Sequence, residues 1–200
     1  MDTIVVASGN KGKIIQIKNF FSEYDVNVNI QSMKDFDVKE PIENGRNYNE
    51  NALIKASHTF KITGLPTLAD DSGLNIDALN GFPGLVTGRF AEACGGYEKS
   101  FEIISKCLES SSKAISFSTA VAFIYEKDGE IIEKVFTGKI TGEFVYPPRG
   151  KNGFGYCPCF KMDGYNKTLA ELADEEIERI NHRSLALKKF MDFFKKEFKE

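Results

Sequence analysis

The sequence of 200 residues predicts an α/β fold built on a mixed β-sheet. Apolar, β-branched runs typical of strands are mixed along the chain with segments that have helical periodicity. In the second half, strand patterns at 114–125 and 131–140 are joined by Asp128-Gly129, a pair that favours a tight hairpin. No repeat or long linker interrupts the chain, so we expect a single domain over residues 1–200.

The individual elements follow from periodicity and turn residues, taken in order. The first half predicts a strand at 3–7, a helix at 11–23, a strand at 26–30, a loop at 34–46, a helix at 49–62 and a strand that begins at 67. The second half predicts a turn at 81–84, a helix at 97–108, the hairpin, a Gly/Pro-rich loop at 147–155 and helices at 174–180 and 184–198. We expect Asp174 to cap the first of these last two helices.

Composition excludes several classes of protein. Apolar residues make up 42% of the chain, which is enough for a packed core and excludes a disordered chain. Lys and Arg number 26 against 29 Asp and Glu, so the formal charge of −3 argues against a nucleic-acid binder. The longest apolar run, 120–125, cannot span a bilayer, and the first seven residues lack a basic signal region. We therefore expect a cytoplasmic protein without a membrane partner.

The metal-binding and redox residues are few. Four cysteines occur without a C-x-x-C spacing, and only two histidines are present, which excludes a His-rich metal site. The chemistry should therefore depend on carboxylates, lysines and backbone amides.

The first candidate site is Ser8-Gly9-Asn10-Lys11-Gly12-Lys13, between a strand and a helix. Free amides at a helix N-terminus attract anions, and the glycines allow a close backbone approach. The spacing of a P-loop is absent, so a simple capped turn with solvated lysines is the alternative.

The second candidate is the acidic pair Asp70-Asp71 near the end of a strand pattern. Adjacent strand residues face opposite sides, so at most one of the two enters a given site. Mg²⁺ prefers one or two carboxylates together with water and substrate phosphates. Glu43 and Glu50 are further acids near helix starts that could join the site, and a solvated acidic turn is the alternative.

Two further motifs lie in the second half. Residues 150–156 place glycines beside Phe154 and Tyr156, which suits a loop that lays an aromatic ring against a flat ligand. Asn181-His182-Arg183 lies between two predicted helices, where a role in capping is the alternative to ligand contact.

In order and spacing these motifs resemble the inosine triphosphate pyrophosphatase family, whose members hydrolyse non-standard purine nucleoside triphosphates. The matching segments are ASGNKGK (7–13), ENALIKA (50–56), ADDSGL (69–74), LNGFPG (79–84), RFA (89–91), GFGY (153–156), NHR (181–183) and AL (186–187). They extend over nearly the whole chain.

The resemblance implies an elongated mixed sheet in two lobes with flanking helices, a nucleotide cleft between the lobes, and a homodimer. It also implies site residues. Asp71 would be the general base and a Mg²⁺ ligand, and Glu43 a second metal ligand, although Glu40 and Glu50 stay open as alternatives. The implied substrate contacts are Ser8, Gly9, Asn10, Lys11, Gly12, Lys13, Lys55, Ser72, Phe154, Gly155, Tyr156, Cys157, His182 and Arg183.

The sequence departs from the family pattern on the base side. Cys157 stands where the family usually has Asp, and Ile177 stands where it usually has Lys, with Arg179 two residues further on. A smaller departure is Val86-Thr87-Gly88 in place of a common Tyr-Ser-Ala. The phosphate and metal side matches the family. Two other hypotheses therefore stay open: the same reaction with a shifted base preference, and a nucleotide-binding or sensing protein without turnover.

Overall fold

A mixed β-sheet organises the chain in the computed structural model, which describes residues 1–198. Within those residues the sheet has six strands in the order β2-β1-β3-β4-β5-β6. The strands are β1 (Thr3–Val6), β2 (Asn29–Ser32), β3 (Thr67–Ile76), β4 (Ala114–Lys127), β5 (Glu130–Phe144) and β6 (Phe160–Met162). Strand β1 pairs in parallel with β2 and β3, and β5 pairs antiparallel with β6. The predicted α/β fold with a mixed sheet is confirmed.

Six α-helices accompany these strands within residues 1–198. They are α1 (Lys11–Glu23), α2 (Tyr48–Thr63), α3 (Thr87–Ala93), α4 (Tyr97–Cys107), α5 (Asp174–Ile180) and α6 (His182–Phe198). The hairpin between β4 and β5 turns at Asp128 and Gly129, both with positive φ (53° and 80°), as a tight primed turn requires. None of the helices formed by residues 1–198 is long and apolar enough to cross a membrane.

Four local predictions were wrong: His182 and Arg183, expected between two helices, are the first residues of α6, and three further differences follow. The second strand covers Asn29–Ser32 rather than 26–30, because the backbone of the preceding segment forms turn bonds, such as Val26 N to Phe21 O. The predicted loop at 34–46 begins within a 3₁₀ turn, Met33–Phe36, closed by a capping box between Ser32 and Asp35. Asp174 is the first residue of α5 rather than its cap, and its side chain accepts a bond from the amide of Gly153.

The chain divides into two compact units, whereas the sequence predicts one domain over 1–200, of which residues 199–200 lie outside the described part. The first unit comprises Met1–Asp71, Thr119–Thr137 and the chain from Ala186; the second comprises Ser72–Ser118 and Gly138–Leu185. A single catalytic domain over the whole chain stays a prediction.

Each unit has its own apolar core. In the first unit, Phe190 and Phe194 of α6 pack against Phe21 of α1 and Phe123 of β4. In the second unit, Phe117 stacks on Phe160 with ring centroids 4.5 Å apart. Burial of rings of this size supplies a large part of the apolar stabilisation of each unit.

The loop at 147–155 lies against the backbone of Ala170. The amides of Lys151 and Asn152 both donate to the Ala170 carbonyl, at 2.9 and 3.1 Å. Gly150 has a φ of +85°, and a Cβ there would lie 2.1 Å from the carbonyl carbon and oxygen of Ala170. Gly164 has nearly the same φ, +83°, but a Cβ there meets no atom within 4 Å.

We expect Gly150→Ala to destabilise the protein more than Gly164→Ala. The left-handed backbone costs each alanine about 1–2 kcal/mol, and only the alanine at 150 also collides with backbone, adding at least about 1–3 kcal/mol. Urea unfolding of both variants measures the difference. Equal losses of stability would show that the 147–155 loop shifts without cost.

Candidate active site

Side-chain acceptors from within the loop and from Glu40 bind the amides of the loop between β1 and α1. Asn10 caps α1, and its Oδ1 accepts from the amides of Gly12 and Lys13 at 2.9 and 3.3 Å. The Asn10 amide donates to Ser8 Oγ at 3.1 Å, and the Gly9 amide donates to Glu40 Oε1 at 3.1 Å. The expectation of free amides is therefore wrong for these four residues, because nearby side chains already satisfy them. Lys11 lies exposed beside them.

Two buried aspartates follow one another in β3, and each lies next to a lysine. Asp70 Oδ2 lies 3.0 Å from Lys13 Nζ of α1. Asp71 Oδ1 lies 3.2 Å from Lys55 Nζ of α2. Because consecutive strand residues face opposite sides, the two carboxylates are compensated by different helices, as the sequence predicted for their orientation.

Lys55 also connects Asp71 to a second acid. Its ammonium lies 2.7 Å from Glu43 Oε1, so one cation is shared by two carboxylates. Asn51, one turn earlier in α2, donates from Nδ2 to Asp71 Oδ2 at 3.1 Å and accepts from the Gly45 amide at 2.8 Å. We refer to Glu43, Asn51, Lys55 and Asp71 as the carboxylate–lysine cluster.

Burial and charge shift the proton affinities within the carboxylate–lysine cluster. Burial raises the pKa of Asp71, the neighbouring Lys55 opposes that shift, and Glu43 adds to it. Burial alone would lower the pKa of Lys55, but Asp71, Asp70 and Glu43 outweigh it, so the pKa of Lys55 is raised. The lysine is therefore charged at neutral pH, and Asp71 is a better proton acceptor than an ordinary aspartate.

The three acids considered as a second metal ligand lie in different places. Glu43 shares the Lys55 ammonium with Asp71. Glu40 contacts the Gly9 amide, and Glu50 accepts from the Arg46 amide at 2.8 Å at the start of α2. Of the three, Glu43 has the placement that a shared cation with Asp71 requires.

The donor set of the carboxylate–lysine cluster fits a hard divalent cation. Two carboxylate oxygens already converge on one cationic nitrogen, and Mg²⁺ typically takes one or two carboxylates, with water and phosphate completing its coordination. Among residues 1–198, no three His, Cys, Asp or Glu side chains are grouped so as to hold a metal ion.

A second group of predicted site residues lies in the second unit, around Arg183. This arginine is buried; its Nη2 lies 3.5 Å from Ser72 Oγ, and its guanidinium lies 5.7 Å from the Phe154 ring centroid. Phe154 is 57% exposed. The His182 ring stacks on Phe117 with centroids 4.9 Å apart. A buried guanidinium beside an exposed ring can bind a flat, polar ligand.

The predicted aromatic loop is only partly available to a ligand. Gly155 has a φ of +63°, and the ring of Tyr156 beyond it is buried against Tyr97 and Phe101. Burial raises the pKa of Tyr156 to about 12. Of the two rings, Phe154 faces solvent and Tyr156 is turned into the core after Gly155, so a substrate contact at Tyr156 stays a prediction.

The two departures on the base side lie beside one another. A Cβ on Gly153 would lie 3.0 Å from Cys157 Sγ and 3.5 Å from Ile177 Cδ1, so both side chains border the same glycine. Both are buried, and burial raises the pKa of the Cys157 thiol. Arg179 is exposed.

Sequence reasoning assigned no role to Asn51, and it considered Glu40 only as an alternative metal ligand, not as a partner of Gly9. Asn51 carried a signal: it stands four residues before Lys55 in a predicted helix, hence on the same face. Glu40 reaches Gly9 across 31 positions, a contact that no local pattern indicates.

Comparisons with known proteins place the chain in a family. A sequence model described as the Ham1 family matches residues 4–193. A protein of Thermoanaerobacter pseudethanolicus named dITP/XTP pyrophosphatase is 40% identical over 202 residues, covering 98% of each chain. The solved structure of a HAM1 protein from Coxiella burnetii has a TM-score of 0.87 at 34% identity, covering 98% of this chain and 100% of that one.

A Staphylococcus aureus Ham1 protein gives the same TM-score, 0.87, at 31% identity, and also covers 98% of this chain and 100% of its own. Motifs, sequence and fold agree over nearly the full length. The chain therefore belongs to the Ham1 family.

Proposed function

We propose that the protein is a pyrophosphatase that hydrolyses dITP, ITP and XTP to the nucleoside monophosphate and pyrophosphate, and so removes non-standard purines from the nucleotide pool. The observation that carries the proposal is the carboxylate–lysine cluster, a buried acid held by an amide and an ammonium beside a second acid. Relatives at 40% and 38% identity that are named dITP/XTP pyrophosphatases support the substrate class.

In this proposal Asp71 accepts the proton of the water that attacks the α-phosphorus. Its buried position raises its pKa, which brings its proton affinity closer to what a general base needs at neutral pH. The bond from Asn51 holds one carboxylate oxygen in place. Lys13 and Lys55 supply positive charge for the pyrophosphate that leaves.

We further propose that Glu43 and Asp71 hold a divalent cation, Mg²⁺. Enzymes of this type generally use a divalent metal, which when bound stabilises charge on the phosphates and makes a coordinated water more acidic. The resemblance also implies a homodimer, and the sequence pattern favours a cytoplasmic location; both belong to the same proposal.

Base recognition is assigned to the second unit. The O6 of hypoxanthine or xanthine would accept hydrogen bonds from Arg183 or His182, with the exposed Phe154 ring against the base. Adenine presents an amino donor at that position, which leaves those donors unsatisfied at about 1–3 kcal/mol each. Guanine also carries O6, so its exclusion must involve the 2-amino group.

A panel of nucleoside triphosphates tests the function against its two alternatives. We expect the protein with Mg²⁺ to release pyrophosphate from dITP, ITP and XTP at least about tenfold more efficiently than from ATP, the size of one unsatisfied donor. We expect GTP to be a poorer substrate than ITP as well, through its 2-amino group. Release from another base would indicate a shifted preference. Binding without any release would indicate a sensing protein and contradict the proposed hydrolysis.

Replacing Asp71 by Asn should abolish turnover and retain nucleotide binding. The amide keeps the shape but cannot accept the proton and is a poor Mg²⁺ ligand, so kcat should fall at least about 100-fold. Asp77→Asn, an exposed acid directly after β3, is the matched control. Near-normal kcat in a folded Asp71→Asn protein would remove Asp71 from the mechanism.

The departures from the family pattern at Cys157 and Ile177 allow a test of whether these two positions act as a pair. Cys157→Asp or Ile177→Lys alone places one charge in a buried site, whereas the double change places an ion pair where both side chains border Gly153. We expect the effects of the double change on the free energy of unfolding and on selectivity for ITP and XTP to be more favourable than the sum of the effects of the two single changes.

Denaturant unfolding and the nucleotide panel measure both effects for all three variants. If Arg179 instead supplies the cation, Arg179→Ala should cost selectivity and Ile177→Lys should add nothing. If the effects of the single changes are additive and the substrate profile is unaltered in every variant, both hypotheses, the paired positions and Arg179 as the cation, are contradicted.

A further inference from the structure

The Lys55 ammonium lies where a cation shared by Glu43 and Asp71 would lie. It is 2.7 Å from Glu43 Oε1 and 3.2 Å from Asp71 Oδ1, and the side chain is buried. The other Asp71 oxygen is bonded to Asn51. Lys55 is therefore the charge that compensates this pair of carboxylates.

A divalent cation that binds the same oxygens meets the positive charge of Lys55. Like charges a few ångströms apart repel strongly in a partly buried site, and the two charges of the cation double the repulsion. The ammonium also forms ion pairs with the carboxylate oxygens that would coordinate the cation. Binding a cation here without another anion should therefore be weak, because Lys55 must give up its partners and receives none in return.

The phosphates of a nucleotide change this balance. They are anions that can bind an ammonium as well as a divalent cation, so a lysine displaced from Glu43 and Asp71 gains a new partner when metal and phosphates arrive together. The lysine stem is anchored in the buried face of α2, so only its end needs to move.

We propose that Lys55 is an internal counter-ion that excludes free divalent cations from Glu43 and Asp71 and admits the cation only together with a phosphate-bearing ligand. This inference rests on the proposed function, since it takes the carboxylate–lysine cluster as the metal and phosphate site. Lys55 then makes the binding of metal and phosphate cooperative.

The test measures binding of Mn²⁺ alone to the purified protein by titration calorimetry, in the absence and presence of pyrophosphate. Lys55→Met removes the charge and keeps a long apolar stem, Lys55→Arg keeps the charge, and Lys61→Met changes an exposed lysine of the same helix. We expect Lys55→Met to bind Mn²⁺ alone at least about tenfold more tightly than the wild type, and the other two variants to show no gain.

Pyrophosphate should tighten Mn²⁺ binding to the wild type by at least about tenfold and to Lys55→Met much less. A purely structural lysine would give no gain in metal affinity, so unchanged or weaker Mn²⁺ binding by folded Lys55→Met would overturn the inference. If that variant does not fold, the measurements on the wild type still test the inference, because independent binding of Mn²⁺ and pyrophosphate to the wild type would overturn the inference as well.

Adding Glu43→Gln to Lys55→Met should abolish the gain, and a gain that persists would place the Mn²⁺ elsewhere and contradict the proposal. Pyrophosphate release by the wild type distinguishes failure of the counter-ion role from failure of the proposed hydrolysis. Release from dITP without a gain in Lys55→Met rejects the counter-ion role alone. A gain without release from any nucleotide rejects the hydrolysis alone.

Discussion

Two adjacent carboxylates in a buried strand impose the strongest constraint on the first unit. Burying an ionised carboxylate without a partner costs several kcal/mol, so Asp70 and Asp71 each require a cation from outside β3. Lys13 comes from α1 and Lys55 from α2, on opposite sides of the strand. The charge requirement thus fixes two helices against the same strand, one for each of the two aspartates.

That arrangement also explains why the proposed chemistry needs few residues. In the proposal, a buried acid with a raised pKa, a second acid and two ammonium groups would supply proton transfer and charge compensation without histidine or cysteine. In the second unit, the buried Arg183 lies beside the exposed ring of Phe154. The two groups therefore suit different chemical features, charged phosphate in one case and a flat polar ring in the other.

Sequence reasoning succeeded where the determinants are local. The bounds of α1 agree with the prediction because Asn10 caps it and an apolar run precedes it. The pattern at 26–30 was misleading, since Val26 and Ile30 are buried although turn bonds keep the backbone before Asn29 out of the sheet. Alternating apolar residues indicate burial, but they do not show where strand pairing begins.

Prediction of the candidate site was likewise limited to what local motifs indicate. Asp71 and Lys55 belong to motifs, whereas the bond from Gly9 to Glu40 depends on how distant segments meet. Which of Phe154 and Tyr156 faces solvent depends on the φ of Gly155, and a sequence containing glycine does not specify that sign. Local patterns thus indicate candidate residues, and tertiary contacts decide which of their atoms already have hydrogen-bond partners.

The composition of the first unit has a consequence for the order in which the protein is made. Its core combines Phe21 from near the N-terminus with Phe190 and Phe194 from the last helix. A ribosome adds about 5–20 residues per second, so roughly ten seconds or more pass between synthesis of the segment that contains Phe21 and synthesis of the helix that contains Phe190 and Phe194. Until then the apolar faces of β1 and α1 are exposed on the nascent chain. The segment of the second unit at Ser72–Ser118 is synthesised during that interval, so the unit that begins the chain is the last to be completed.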